Sequence, residues 1–129
     1  MNKTFVAVAA LLGALSVSLG AFAAHKLKEI LPGDALAVFE TGVRYQFYHA
    51  LALLVIGIAA DKFSTKWIRW TGNCFIIGIV LFSGSLYLLT ALRIAGNSSA
   101  NYAGIITPLG GLFLIAGWLL LFFAAIRNK

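Results

Sequence analysis

Three long stretches without a charged residue constrain this chain more than any other feature. They are Phe5 to Ala24, Trp70 to Leu92 and Ile105 to Ile126. A helix needs about 20 mostly apolar residues to cross a hydrocarbon core about 30 Å thick, because each residue rises about 1.5 Å. Each stretch meets that length, so the sequence predicts an integral membrane protein built from helices.

The composition of the chain agrees with this prediction. Hydrophobic residues make up 61% of it and charged residues only 11%, whereas soluble domains average about 25% charged residues. The ten Lys and Arg residues outnumber the four Asp and Glu residues. The charges lie at the ends of apolar runs, which indicates contact with anionic lipid headgroups and not with nucleic acid. The single cysteine, Cys74, excludes an intramolecular disulfide and is expected to be a buried, unreactive thiol.

A fourth span is predicted in the segment after Pro32-Gly33, where the chain is broken. Tyr45 to Ala60 is too short to cross the membrane alone, but the pattern continues upstream without a breaker to Asp34, a plausible N-cap. We therefore predict a helix over residues 34–60 that contains a span at 43–60. The other spans are predicted at 4–25, 69–93 and 105–126, in one transmembrane domain that covers residues 1–129. The predicted fold class is an all-α, four-helix membrane bundle.

The distribution of cations predicts that both termini are cytoplasmic. Four spans place the termini on one side, together with Lys3, Lys62, Lys66, Arg69, Arg127 and Lys129. The other side carries Lys26, Lys28, Arg44 and Arg93, diluted by Glu29, Asp34 and Glu40. Because cytoplasmic loops are enriched in Lys and Arg, the first side is assigned to the cytoplasm. The loop GNSSANYAG is polar and uncharged, as exported loops often are.

The N-terminal segment is also compatible with a cleaved signal peptide. Lys3 supplies a charged start, and the small residues of AFA before Ala24 resemble a cleavage site. The apolar run is longer than the usual 7–15 residues of a signal peptide. A retained membrane helix is therefore the preferred interpretation, with cleavage kept as the alternative.

Small residues are placed where helices in a membrane pack closely. The candidate packing positions are Ser16, Gly20, Ala24, Gly78, Gly84, Gly104, Gly110, Gly111 and Gly117. Tight packing inside the bundle is the simpler interpretation, and an oligomer interface on the surplus small-residue face is the alternative. Pro108 either begins the fourth span, with Thr107 as N-cap, or lies within a helix that begins near Tyr102.

Helical rise places most polar side chains of the spans in one half of the bilayer. At about 1.5 Å per residue from the cytoplasmic ends, His49 lies about 18 Å up, Arg44 about 25 Å and His25 about 30 Å. The candidate residues of this polar cluster are His25, Glu40, Arg44, Tyr45, Tyr48, His49, Ser83, Ser85, Tyr87, Arg93 and Thr107. We expect no metal ion and no cofactor.

The polar cluster has a structural and a functional interpretation. Glu40 and Arg44 are four residues apart on a helix, in the order that favours an ion pair, which can serve as a structural clasp. Tyrosines at this depth can form an aromatic belt. The functional alternative is an outward-facing pocket for a headgroup or small polar solute, formed by Glu40 and Arg44 with His25, His49 and Tyr87.

Four motifs resemble those of a bacterial family of small multi-pass membrane proteins typified by YgdD and YwdK. The motifs are LGAFAAHKL, FETGVRYQFYHALALL, LFSGSLYLL and ITPLGGLFLIAGW, and they cover all four spans in order. Ala23 replaces the second glycine of the usual GAFGAH. The resemblance implies an uncleaved four-helix protein of the bacterial cytoplasmic membrane, but no function, because the family is a domain of unknown function. The motif residues carried over are His25, Glu40, Gly42, Arg44, Tyr45, His49, Ser83, Gly84, Ser85, Tyr87, Thr107, Pro108, Gly110 and Gly111.

Three classes of function remain open from the sequence. An enzyme is not expected, because no nucleophile or metal motif such as G-x-S-x-G or H-E-x-x-H is present. A proton-linked or small-solute transporter would rest on His49, the only titratable group near mid-depth. The preferred function is a non-catalytic membrane component that binds lipid, a second copy or another membrane protein through the polar cluster.

Overall fold

The computed structural model describes residues 1–97 and 99–127, and these form four long helices. They are α1 (Lys3–Ile30), α2 (Gly33–Ile58), α3 (Thr65–Ile94) and α4 (Ala100–Arg127). A short 3-10 turn, Ala60–Lys62, lies between α2 and α3, and no strand is present in the part of the chain described. The prediction of an all-helical chain is confirmed.

Three of the four helices are long and apolar enough to cross a membrane, within the described residues. They are α1, α3 and α4. Helix α2 is less apolar, because Arg44, Gln46 and His49 interrupt its sequence. The predicted second span, 43–60, extends two residues past the end of α2 at Ile58, and the predicted fourth span lies within α4, which begins several residues earlier, at Ala100.

The helices pack in chain order as antiparallel neighbours. Helix α1 packs on α2, α2 on α3, and α3 on α4. The N-terminal end of the bundle holds the starts of α1 and α3 and the loop at 59–64, as the hydrogen bond from the Asn2 N–H to the Gly57 carbonyl shows (2.7 Å). The guanidinium of Arg127 lies 5.6 Å from the centre of the Trp67 ring, so α4 ends there too. We call this the N-terminal end, and the other the opposite end.

Local signals explain where several helices begin and change. The Asn2 side chain accepts a hydrogen bond from the Phe5 N–H (3.1 Å) and caps α1. Pro32 precedes α2, which therefore begins one residue before the predicted position. Asp34 is not the N-cap but lies in the first turn, where a carboxylate favours the helix dipole. Pro108 lies inside α4, so the fourth helix does not begin there.

A π turn, Ala23–Leu27, interrupts α1 near the opposite end. The Lys28 N–H donates to the Ala23 carbonyl, which inserts one residue into the turn. Ala23 and Leu27 are buried and pack with Phe39 of α2. The alanine that departs from the family motif is therefore a contact between α1 and α2.

The main hydrophobic core lies toward the N-terminal end. Its centre is formed by Phe5 of α1, Leu53 and Ile56 of α2 and Phe75 of α3, all buried, with Leu114 from α4. The side chains come from all four helices. This core holds the lower part of the bundle, and the polar contacts described next lie above it.

Candidate functional site

Helix α2 directs a row of residues into the bundle. Gly42, Gln46 and His49 follow one another at spacings of four and three residues, so they share one face of the helix. All three are buried. This face meets α1, α3 and α4, and it supplies the polar contacts between them.

Gln46 joins three helices through one side-chain amide. Its Nε2–H donates to the Leu12 carbonyl of α1 (3.0 Å), and its Oε1 accepts from the Tyr87 hydroxyl of α3 (2.6 Å). Only 3% of Gln46 is exposed. Gln46 was not among the residues predicted from the sequence, although a glutamine inside an otherwise apolar helix segment is the signal that identifies it.

Gly42 allows α3 to approach α2 closely above Gln46. The Ser83 hydroxyl donates to the Gly42 carbonyl (2.6 Å). The Tyr87 ring covers the glycine so closely that a methyl group added there would lie 2.9 Å from the ring. The same ring lies 5.1 Å from the ring of Phe39. Ser83 and Tyr87 therefore hold α3 against α2.

His49 is held by both of its ring nitrogens. Nδ1 lies 2.7 Å from the Tyr45 carbonyl oxygen, and Nε2 lies 3.1 Å from the indole Nε1 of Trp118 in α4. An indole N–H only donates, so Nε2 must accept, and the proton belongs on Nδ1. This geometry assigns the neutral Nδ1–H tautomer. The Phe75 ring packs 5.6 Å from the imidazole centre.

Ser85 and Thr107 link α3 to α4. Their hydroxyl oxygens lie 2.6 Å apart, and the Ser85 hydroxyl also lies 2.8 Å from the Phe82 carbonyl. Thr107 precedes Pro108 inside the helix. Its hydroxyl thus serves an interhelical contact and not the predicted cap.

The predicted polar cluster divides into a buried and an exposed set. His49, Ser83 and Ser85 are buried, Tyr87 and Thr107 are half-buried, and all five contact a neighbouring helix. The exposed members are His25, Glu40, Arg44, Tyr45, Tyr48 and Arg93. The structure therefore does not bring the members together in one pocket, because the two sets lie on different faces.

The predicted ion pair between Glu40 and Arg44 is absent from the described structure. Both side chains are exposed on the outer face of α2. Arg44 instead lines a groove of about 270 Å³ between α1 and α2. The other residues of this groove are Ser16, Val17, Val43 and Phe47.

The predicted packing residues differ in how closely a neighbouring helix approaches. At Gly110 an added methyl group would lie 2.7 Å from the Phe82 Cα, and at Gly117 it would lie 2.6 Å from the Phe75 ring. At Gly78 the added group would lie 2.7 Å from Leu114 Cγ. These three glycines form the crossing of α3 and α4.

The remaining packing candidates make looser contacts. A methyl group at Gly20 or Gly111 would meet one side-chain atom at ordinary distance, and one at Gly84 or Gly104 would meet no described atom within 4 Å. Ser16 is buried, and its hydroxyl donates to the Leu12 carbonyl of its own helix (2.8 Å), whereas Ala24 is exposed. Close contacts that the sequence analysis missed occur at Gly42, Gly57 and Gly72.

The described residues contain no group of three or more His, Cys, Asp or Glu side chains placed to hold a metal ion.

The fold and the site define a class: an all-helical membrane protein whose buried polar side chains bind the helices to one another. Comparison with known proteins identifies the family of the chain. Residues 19–111 match a family described as a protein of unknown function, DUF423. The chain belongs to that family.

Named relatives cover nearly the whole chain. The UPF0382 membrane protein YwdK of Bacillus subtilis is 42% identical over 126 residues, which is 97% of this chain and 98% of YwdK. The UPF0382 inner membrane protein YgdD of Escherichia coli is 36% identical over 130 residues, which is 100% of this chain and 95% of YgdD. A UPF0382 membrane protein of Haemophilus influenzae is 37% identical over 129 residues, which is 100% of this chain and 98% of that protein. No solved structure matches.

These relatives confirm two predictions made from the sequence. The first is the resemblance to the family of YgdD and YwdK. The second is a multi-pass location in the bacterial cytoplasmic membrane, in agreement with the apolar helices. The chain is a membrane protein of a family whose function is uncharacterised.

Proposed function

We propose that this protein is a non-catalytic membrane component that binds a membrane lipid through Arg44 on the outer face of α2. The observation that carries the proposal is the position of this cation. Arg44 is exposed beside an apolar groove, and no described residue forms an ion pair with it.

The depth of Arg44 favours an anionic partner. The groove joins it to Ser16 and Val17 of α1, which lie about 20 Å along that helix from Lys3, at about 1.5 Å per residue. A cation within the membrane is costly unless it is paired or hydrated. A lipid phosphate can pair with the guanidinium, and Val17, Val43 and Phe47 provide apolar walls for an acyl chain.

The buried polar residues support a non-catalytic role. The Ser83 hydroxyl is committed to the Gly42 carbonyl, and Ser85 to Thr107. A serine nucleophile needs a general base within hydrogen-bond reach. In the described structure neither hydroxyl is hydrogen-bonded to His49, whose nitrogens contact Tyr45 and Trp118.

The topology belongs to the same proposal. We infer that all four helices cross the membrane and that both termini are cytoplasmic. The antiparallel order of the helices supports an even number of crossings, and the Lys and Arg residues near the N-terminal end support the orientation.

Lipid retention tests the proposal directly. The full chain and the variant Arg44→Gln are extracted in mild detergent, and bound phospholipid is measured by native mass spectrometry. The wild type is expected to retain phospholipid, and Arg44→Gln is expected to retain fewer lipid molecules per chain. Arg93→Gln, which removes the same charge from another exposed position, serves as the control and should retain it.

Two results contradict the proposal. One is wild-type protein that carries no lipid, and the other is equal retention by wild type and Arg44→Gln. A co-purifying protein or second copy that Arg44→Gln releases, with lipid content unchanged, would favour a protein partner instead.

A proton-linked transporter that uses His49 is the less supported alternative. Proton exchange requires a ring nitrogen that can take up a proton. Both ring nitrogens of His49 are already in hydrogen bonds, one with the Tyr45 carbonyl and the other with the Trp118 indole. Purified protein in liposomes tests this class. Proton-coupled solute uptake by the wild type that is lost in a folded His49→Ala variant would support the transporter function.

A further inference from the structure

Two adjoining clefts at the N-terminal end share the side chain of Arg69. The first has a volume of about 290 Å³ and is lined by Thr65, Lys66, Arg69, Trp70 and Asn73. The second has a volume of about 360 Å³ and includes Lys3, Arg69 and Asp61. A cation therefore lies in each cleft, and a third cation lies between them.

These cations are available to a ligand. Lys3, Lys66 and Arg69 are exposed, and no described residue forms an ion pair with any of them. Asp61, the carboxylate of the second cleft, is already contacted by the Met1 ammonium group. Three cationic side chains against one carboxylate leave the pair of clefts positively charged.

The position of the first cleft on α3 matches the surface of a membrane. Trp70 is 57% exposed and lies about 8 Å along the helix from Thr65, at about 1.5 Å per residue. Tryptophan is enriched at the headgroup level. Asn73 continues the same face, and Ile77 and Val80 follow it, exposed at 42% and 62%. Polar side chains at one end thus give way to an apolar surface that an acyl chain can cover.

We propose that the two clefts bind a glycerophospholipid with two phosphate groups, of the diphosphatidylglycerol type. One phosphate lies against Lys66 and the other against Lys3, and Arg69 contacts both. The guanidinium has several donors in a fixed fork and suits this bridging position. A lipid with one phosphate can fill only one cleft, which gives the site its selectivity. The site shares no residue with the Arg44 groove.

The test compares three lipids with the full chain in detergent micelles. Binding of diphosphatidylglycerol, phosphatidylglycerol and phosphatidylethanolamine is measured by native mass spectrometry and by the rise in thermal stability. The wild type is expected to bind diphosphatidylglycerol about tenfold more tightly than phosphatidylglycerol, because a second charge-assisted contact is made. Phosphatidylethanolamine should bind most weakly.

Single variants then separate the roles of the cations. Arg69→Gln is expected to weaken diphosphatidylglycerol binding at least about tenfold, since the contact to both phosphates is lost. Lys66→Gln and Lys3→Gln should each lower affinity to the level of phosphatidylglycerol. Arg93→Gln removes one charge at the opposite end and should bind as the wild type does.

Three outcomes would overturn the site. They are unchanged binding by Arg69→Gln, an equal loss in Arg93→Gln, and equal affinity of the wild type for the lipids with one and two phosphates. Arg44→Gln is included to keep the two proposals apart. Its failure to alter lipid retention contradicts the Arg44 groove only, whereas unchanged binding by Arg69→Gln contradicts these clefts only.

Discussion

At the scale of single residues, Gln46 and His49 show how polar groups are used inside this bundle. Each is buried, with 3% and 5% of its surface exposed, and each contacts other helices through hydrogen bonds. In a membrane, interhelical hydrogen bonds and close packing replace the hydrophobic effect as the forces between helices. These two side chains therefore stabilise one arrangement of the helices.

Replacing Gln46 by leucine should destabilise the bundle. Gln46→Leu leaves the Tyr87 hydroxyl without its acceptor and removes the side-chain hydrogen bond from α2 to the Leu12 carbonyl, which still accepts from the Ser16 hydroxyl. We expect the free energy of unfolding to fall by about 1–2 kcal/mol, measured by detergent-induced unfolding. A double-mutant cycle with Tyr87→Phe should give a coupling energy of about 1 kcal/mol. Additive effects of the two changes would contradict the hydrogen bond.

The tautomer of His49 can be measured directly. Nitrogen-15 NMR of the labelled protein in detergent should show a neutral His49 ring with its proton on Nδ1, because Nε2 accepts from Trp118. Trp118→Phe removes that donor and should shift the Nε2 resonance while folding is kept. The exposed His25 provides the internal control. A proton on Nε2 in the wild type would contradict the structure.

At the scale of helices, the crossing of α3 and α4 depends on glycine. The three nearest atoms to a methyl group at Gly110 all belong to the backbone at Leu81 and Phe82, which cannot rotate away as a side chain can. Gly78 faces mainly the Leu114 side chain, with the Leu114 backbone nitrogen at 3.0 Å, and Gly117 faces the Phe75 ring. A backbone contact without a Cβ brings the helix axes close and increases van der Waals contact. Gly110 is therefore the position where α3 and α4 have the least space.

Adding one methyl group at Gly110 should force the two helices apart. Gly110→Ala is expected to lower the free energy of unfolding by about 1–3 kcal/mol, the usual range for overpacking. Gly104→Ala is the matched control on the same helix, where the added group meets no described atom within 4 Å. That variant should be neutral or stabilising by up to about 1 kcal/mol, because alanine favours helix. Equal effects of both variants would exclude a close crossing at Gly110.

At the scale of the whole molecule, the antiparallel order of helices places the loop at 59–64 at one end and Asn97 at the other. The excess of Lys and Arg near the N-terminal end predicts which end is cytoplasmic. The helix order thus sets the relation between the two loops, and the proposed direction of the loops across the membrane rests on the cations.

Cysteine labelling tests that orientation. In a Cys74→Ser background, Ser64→Cys is expected to react with a membrane-impermeant maleimide only after the membrane is opened. Asn97→Cys should react in intact cells. The reverse pattern would contradict the proposed topology, because it results if the termini face outward or if α2 does not cross the membrane, and labelling of both positions from outside would show that α3 does not cross it.

Part of this structure could be predicted from the sequence because it depends on local composition. Charge-free runs of sufficient length require helices in a bilayer, where each backbone group must bond within its own segment. The membrane class, the helical fold and the family motifs follow from such runs and from short patterns. A helix that is only partly apolar, such as α2, is where this reasoning is weakest.

The tertiary structure determined which residues contact one another in the site. Depth along a helix placed His49, Arg44 and Tyr87 at related levels, but depth does not give the direction of a side chain around the helix. Arg44 points outward, whereas Gln46, two residues later, points inward and bonds two other helices. Likewise, Gly104 and Gly110 are the same residue type on one helix, yet only Gly110 meets another backbone. The sequence by itself determined that these groups lie in membrane helices, and helix rotation and packing determined which of them meet, because such contacts depend on residues distant in the chain.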